Sequence, residues 1–196
     1  MSDHAPIFLA TLGLRRLRLV KLRRVRRPKE RPLSTRRAKS RRKFRLVLRD
    51  PLLKFWFRFV FPDQSHLAEV GPNAYFRDIV RSALPSYFGM CFESLCREAL
   101  PKLYEQEGVA TGYEVGSYWD KKVQIDLVGM RDDDWTDLGE CKWGPVFSGN
   151  KLAQELASKA KRFPNARNAS LGLRAFVRKK PKSLPDGVRW HSLDEL

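Results

Sequence analysis

Cysteine is scarce in this chain of 196 residues: three, Cys91, Cys96 and Cys141. None forms a CxxC pair, and the three histidines, His4, His66 and His191, are scattered. That argues against a structural zinc centre and a disulfide framework, and it suits a reducing, cytoplasmic setting. There is no GxxxxGK[ST] segment, so the chain brings no P-loop of its own, and no internal repeat is visible. Long apolar runs are missing too. The stretch from Pro6 to Leu14 is short and runs straight into Arg15 and Arg16, whereas a secretory signal would put its charges first. No membrane partner is expected.

Acidic residues are nearly absent from the first quarter. Of 39 Lys and Arg, 18 lie in residues 1–49, beside only two Asp and Glu, a net of +16. The remaining residues, 50–196, carry a net of +1 out of the total +17. The chain therefore reads as a nearly neutral domain with a strongly basic arm, the charge pattern that phosphate backbones attract. The residues expected to meet phosphates are Arg15, Arg16, Arg23, Arg24, Arg26, Arg27, Arg36, Arg37, Arg41, Arg42 and Lys43. The alternative is a solvated charged tail without a specific partner.

Within the arm, Leu12, Leu14, Leu17, Leu19, Val20, Leu22 and Val25 alternate with Arg and Lys at neither a helical nor a strand period. Pro28 and Pro32 break any helix there, and 29–43 reads as a polar loop. Phe44 to Leu48 alternates as a strand. Asp50-Pro51 is a helix start, with Asp as N-cap and Pro in the first turn. The aromatic helix that follows is expected to be core and to end at Pro62. A second helix is expected over 72–82. A third is expected from Ser86 to about Leu100, with Phe88, Cys91, Phe92, Leu95 and Ala99 as its buried stripe and Pro101 kinking or ending it.

Beyond it the periodicity changes. Strands are expected over 112–119, 123–130 and 135–143, joined by turns at Asp120-Lys121-Lys122 and Asp132-Asp133-Asp134 into an antiparallel meander. A helix follows over 150–163, then a strand over 171–177 that returns parallel, and a further strand at 188–190. The expectation is a mixed α/β (α+β) domain in the order α-β-β-β-α-β-(β). Its divisions are a basic arm over 1–49, a helical region over 50–83 and the sheet domain over 84–196.

Asp126 stands in Val-Gln-Ile-Asp-Leu-Val, where a carboxylate is costly unless something binds it. Glu140 and Lys142 follow in Gly-Glu-Cys-Lys-Trp. Residues two apart on a strand share a face, so these two project together and Cys141 points away, into the core. If the strands pair as a hairpin, Asp126 faces Glu140. Two converging carboxylates suit Mg²⁺ or Mn²⁺. An adjacent lysine suits a water nucleophile and the charge of a phosphoryl transition state. The structural alternative is a salt-bridged Glu140–Lys142 pair on a solvated strand.

Asp126 followed by Glu140-x-Lys142 on the next strand resembles the PD-(D/E)XK nuclease superfamily. That resemblance implies a restriction-endonuclease-like αβββαβ core. It also implies a metal site of Asp126 and Glu140 completed by a glutamate on the first core helix, here Glu93 with Glu98 as the alternative. A narrower resemblance runs from Glu30 to Phe163 through ERPLSTRRAKSRRKFRLVLRDPLLKFWFRFVFP, FESLCREAL, YWDKKVQIDLVGM and GECKW. These segments look like the C-terminal region of archaeal and bacterial AAA-type ATPases, whose ATPase domain is missing here. Residues 1–49 then correspond to the end of a winged helix, and Gln124-Ile125-Asp126 stands where that family commonly has Glu-Ile-Asp. The implied activity is Mg²⁺-dependent DNA cleavage. The implied partners are DNA, a separate AAA-type ATPase and, since both strands must be cut, a second copy in a homodimer. The competing expectation is a non-catalytic DNA-binding or docking module, because nuclease folds also persist without chemistry.

Overall fold

The structure, a computed structural model, describes residues 29–30, 45–46 and 48–196. The apolar–basic segment 11–27 and the arm residues Arg15 to Lys43 expected to contact phosphate lie outside the described residues. Two short strands, β1 (Lys29–Glu30) and β2 (Arg45–Leu46), pair antiparallel. The strand expected over 44–48 is thus present in part, and its partner comes from a stretch expected to be loop.

Asp50 caps helix α1 (Pro51–Phe55), accepting a hydrogen bond from the Leu53 amide at 3.1 Å. The chain then widens into a π-helical turn, Trp56–Val60, and tightens into a 3₁₀ turn, Phe61–Asp63. Pro62 therefore does not end the helical path. It sits in the first turn of the 3₁₀ segment, where its missing N–H goes unneeded. The α2 helix (Gln64–Val70) stops at Gly71, whose φ of 78° few other residues adopt. The aromatic run is only partly core: Phe59 is buried, whereas Phe57 and Phe61 are exposed.

The two helices expected over 72–82 and 86–100 are one helical path. It runs through α3 (Pro72–Tyr75), a π turn (Phe76–Val80) and α4 (Arg81–Gln106), a helix of 26 residues with Pro85 and Pro101 inside it. An interior proline costs roughly 3 kcal/mol in a helix. Packing on both sides of Pro85 offsets this: Val80 and Tyr87 share a buried cluster with Phe59 and Tyr75. Hence α4 serves two cores, and its buried stripe keeps Phe92 and Ala99 of the expected one but not Phe88 and Leu95. Phe88 and Leu95 are 39% and 41% exposed, while Phe92, Cys96, Ala99, Leu100, Leu103 and Tyr104 are buried. The first turns of α4 face the aromatic helices and the rest faces the sheet.

The sheet has five strands, β3 (Tyr113–Trp119), β4 (Gln124–Arg131), β5 (Trp135–Lys142), β6 (Ser170–Val177) and β7 (Val188–Ser192), adjacent in that order. The first three form the antiparallel meander, and β6 and β7 add in parallel. Helix α5 (Gly149–Arg162) makes the crossover from β5 to β6, capped by Ser148. The order α-β-β-β-α-β-β matches the sequence expectation, and the domain is mixed α/β.

Alternation along each strand sends side chains to opposite layers. Leu127, Cys141 and Phe176 pack under α4 with Phe92, Cys96, Leu100, Leu103 and Tyr104. Ile125, Val128, Met130 and Leu138 pack on the other face with Phe163 and Ala160. Leu152 of α5 joins Ala175, Val177 and Trp190. Each fully buried Leu or Phe contributes roughly 1.5–3 kcal/mol, which fixes the register of β4 and β5 and with it the placement of every polar side chain they carry. Among the described residues no helix is long and apolar enough to cross a membrane.

Candidate functional site

The site forms where β4 departs from its neighbours. Gly116 pairs with Val128 but Tyr118 pairs with Ile125, so Asp126 and Leu127 stand opposite the single residue Ser117. Such a bulge turns a side chain out of strict alternation. On the other side, the β4–β5 ladder runs from Met130↔Thr136 to Leu127↔Gly139 and goes no further. Asp126 and Glu140 occupy the next position in register, where the strands part.

The Asp126 carboxylate uses that gap. Its Oδ2 accepts a hydrogen bond from the Cys141 amide at 3.1 Å, in place of a ladder bond. Arg97, reaching down from α4, donates to the Asp126 carbonyl at 2.9 Å. Asp126 and Glu93 line a narrow cleft of about 80 Å³ with Arg97, Ser117, Tyr118 and Trp119.

Glu140 and Lys142 project together toward α5, as their spacing requires. Lys142 Nζ donates to Glu140 Oε1 at 2.9 Å, and Lys159 Nζ donates to Oε2 at 2.6 Å. Glu155, one turn before Lys159, accepts from Lys142 at 3.3 Å. The Glu140 side chain is 4% exposed and the Lys142 side chain 36%. Burial pushes the Glu140 carboxyl above its ordinary range, and the negative charge of Asp126 pushes it the same way. The two lysines oppose this shift without cancelling it. Burial alone would lower the Lys142 ammonium, but Glu140 and Glu155 hold it above its ordinary value. Lys142 is thus held in its charged form, while Glu140 bears an uncompensated cost from the second carboxylate beside it.

The structure thus brings Asp126, Glu140 and Lys142 to one fork. The expected third carboxylate, Glu93, lines the same cleft as Asp126 and lies 3.9 Å from Arg97, whereas the alternative, Glu98, is exposed. Among the described residues no group of three or more His, Cys, Asp or Glu is arranged to hold a metal ion. Lys159 and Glu155 were absent from the sequence reading. Their signal was weak, since a lysine on the polar face of an amphipathic helix normally faces solvent, and only the crossover brings it over β5.

A second charged cluster was also missed. Arg174 of β6 is fully buried under α4. Its Nε donates to Asp137 at 2.8 Å, and its two terminal nitrogens bind the Glu107 carboxylate at 2.6 Å each. Tyr104 donates to Asp137 at 2.7 Å, and His191 Nε2 lies 3.2 Å from Arg174. The argument that singled out Asp126, a charge inside an apolar strand, applies equally to Asp137 and Arg174.

No solved structure is detectably similar to this chain. An uncharacterised protein of Methanocaldococcus jannaschii is 26% identical over 124 residues, 61% of this chain. The chain spans 28% of the length of that relative. Residues 56–155 match the DUF234 family, described as archaeal and bacterial proteins of unknown function. That match takes in the aromatic helix, α4, the meander and the Asp126, Glu140, Lys142 and Glu155 positions. The chain belongs to this DUF234 family of archaeal and bacterial proteins.

Proposed function

We propose that this domain hydrolyses phosphodiester bonds of DNA at the Asp126–Glu140–Lys142 fork with a divalent cation, in the manner of the PD-(D/E)XK nucleases it resembles. The observation that carries the reading is the fork itself. Strand pairing stops one position short of Asp126 and Glu140, leaving two neighbouring carboxylates with a lysine 2.9 Å from one of them.

The donor set fits Mg²⁺ or Mn²⁺. Mg²⁺ commonly binds through one or two carboxylates and takes its remaining ligands from water and substrate phosphate. Two hard oxygen donors, of which Asp126 raises the electrostatic cost of Glu140, suit such a charge. Asp126 and Glu140 would hold the ion; Glu93, turned toward Arg97, would not be needed. When bound, the ion supplies charge neutralisation at the phosphate and an acidified water.

The chain's own groups do the rest. The Cys141 amide fixes the Asp126 carboxylate by its hydrogen bond. Lys159 anchors one Glu140 oxygen and leaves Lys142 as the mobile donor. Lys142, partly exposed, turns its Nζ from Glu140 Oε1 to the charge that grows on the phosphoryl oxygens. Such preorganised donors commonly contribute two to three orders of magnitude in rate. The basic arm supplies sequence-independent attraction to the backbone. The cytoplasm, a separate AAA-type ATPase as partner and a homodimer belong to the same proposal. That the chain spans a minor part of a longer relative is in keeping with a module that works beside other domains.

A second reading is a non-catalytic DNA-binding or docking module. It draws on the engagement of both Glu140 oxygens by lysine, which satisfies the carboxylate without a metal. Calorimetric titration with Mg²⁺ and Mn²⁺, followed by plasmid nicking on the same samples, separates the two. Wild type is expected to bind the cation and nick. Asp126→Asn keeps an oxygen for the Cys141 amide, and is expected to lose cation binding and at least about 100-fold in nicking. A folded wild type that binds neither cation sinks the catalytic reading and leaves the module.

A further inference from the structure

Single exposed apolar side chains are ordinary on a protein surface, so what matters is the chemistry that stands beside them. Phe147 is 91% exposed, in the connection between β5 and α5 that begins directly after Lys142. At the start of the same connection, Trp143 stands between rings and a cation. Phe88 of α4, itself 39% exposed, lies 5.3 Å from it with planes tilted by 35°. The Arg178 guanidinium covers the Trp143 ring at 5.4 Å. Arg178 is held in place because its amide donates to the Lys142 carbonyl at 3.2 Å, one position past the end of the β5–β6 ladder. Lys151 and Lys179 are exposed on the adjoining turns.

This rim sits at the carboxyl ends of two parallel strands, the edge where open α/β sheets receive ligands. Its chemistry is aromatic faces interleaved with cations. Phosphate alone needs only the cations, and a double helix hides the faces of its bases inside the stack. A strand with unstacked bases presents both a charged backbone and π surfaces.

We propose that Phe88, Trp143, Phe147 and Arg178 form a stacking platform for unpaired bases, so that the strand engaged at the adjoining fork is unpaired there, whether supplied as a single strand or opened from a supercoiled duplex. The substrate class rests on the reading of that fork as a phosphodiester site. Bases stack on Phe147 and on the outer face of the Arg178 guanidinium, which Trp143 backs with Phe88 and Phe92 behind it, and the backbone passes over Lys142 toward Glu140. The positive charge around the platform complements the phosphates, and the basic arm adds attraction that does not distinguish one strand from two.

The test is fluorescence anisotropy of the full chain with a labelled oligothymidine of about 15 nucleotides and with a duplex of the same length. It is run in EDTA at physiological salt. The single strand is expected to bind about 10-fold more tightly than the duplex. Phe147→Ala and Arg178→Ala each weaken single-strand binding about 5-fold or more and leave duplex binding within about 2-fold. Both side chains are exposed, so neither change threatens the fold. Equal affinity for the two probes, or single-strand binding indifferent to Phe147→Ala, overturns the platform. Because no metal is present, this result is independent of cleavage. A protein that nicks plasmid but ignores Phe147→Ala keeps the catalytic reading and loses the substrate class. One that fails to bind a cation but discriminates the two probes through Phe147 loses the catalytic reading and keeps the platform.

Discussion

Two clusters of charge are built into the same sheet, and they differ in how completely the protein answers them. Under α4, Arg174 meets Asp137 and Glu107, Tyr104 closes the remaining Asp137 oxygen, and Arg189 adds a third donor to Glu107 at 2.6 Å. Opposite charges alternate, and no two buried carboxylates are left to repel each other. Over β5, Glu140 has two lysines but also Asp126 at the same fork, and its carboxyl rises because burial and that neighbour outweigh the cations. Buried charge alone is weak evidence of function. A buried carboxylate left partly uncompensated beside a second one is stronger evidence. The comparison supports reading the Arg174 cluster as architecture and the Glu140 cluster as the candidate site.

The largest effect tests the first half of that contrast. Arg174→Ala leaves Asp137 and Glu107 without their cation in a buried place. It is expected to cost about 3–5 kcal/mol, read as a fall in the urea midpoint. Arg174→Lys keeps the charge but loses the planar fork that binds Glu107 with two nitrogens, and is expected to fall between the variant and wild type. A midpoint unmoved by Arg174→Ala would mean the cluster does not brace α4 against β5 and β6.

The two clusters also differ in how far the sequence disclosed them. Asp126, Glu140 and Lys142 were legible because strand alternation is local: two residues apart on β5 means one face, whatever the rest of the chain does. The meander was legible for the same reason, with turns marked by Asp120 and by Asp134, which adopts a φ of 59°. What was not legible depends on distant partners. Pro85 and Pro101 signal helix ends, but packing from α1, α3 and the sheet holds α4 continuous across them. The buried stripe of α4 shifts because two cores compete for it. Lys159 reaches Glu140, and Arg174 reaches Glu107, through a crossover that no local pattern specifies. The bulge that frees Asp126 from the ladder arises from the register between β3 and β4 and has no residue signature of its own.

A middle-sized effect distinguishes the clusters by pH. Burial in the Arg174 cluster, with the charge of Arg174 acting in the same direction, lowers the His191 imidazole from its ordinary 6.5 to about 4. The folded state therefore holds fewer protons than the unfolded chain between those values. Stability from this source is fully present above about pH 6.5 and is lost as pH falls toward 4. For a half-buried ring the loss amounts to about 1–2 kcal/mol after solvent screening. Glu107 adds to it at lower pH. Burial alone would raise its carboxyl, but Arg174 and Arg189 hold it below the ordinary 4.5, so its contribution fades only as pH falls past that value. Thermal unfolding of His191→Gln, which keeps an acceptor for Arg174 and removes the titration, is expected to flatten the profile between pH 6.5 and 4. A profile that keeps its slope in that variant would place the acid sensitivity elsewhere.

The smallest effect sharpens the other half. Glu155 is the outer corner of the Glu140 cluster, with its side chain 42% exposed and its carboxylate 3.3 and 3.5 Å from Lys142 and Lys159. Burial would raise it, but the two lysines hold it below its ordinary value. An exposed pair of this kind is worth less than about 1 kcal/mol, so Glu155→Gln is expected to move the urea midpoint barely at all. The change gives the fork one more net positive charge and releases Lys142 from its outer partner. If Lys142 is the mobile donor of a phosphate site, single-strand affinity in EDTA rises by about 2-fold, since a close added charge in partly screened surroundings is worth a fraction of a kcal/mol. If the four side chains are only a salt-bridged surface, stability falls by the same small amount and nucleic-acid affinity does not change. The same substitution thus asks of the Glu140 cluster what Arg174→Ala asks of its counterpart, with the expected change in binding rather than in folding.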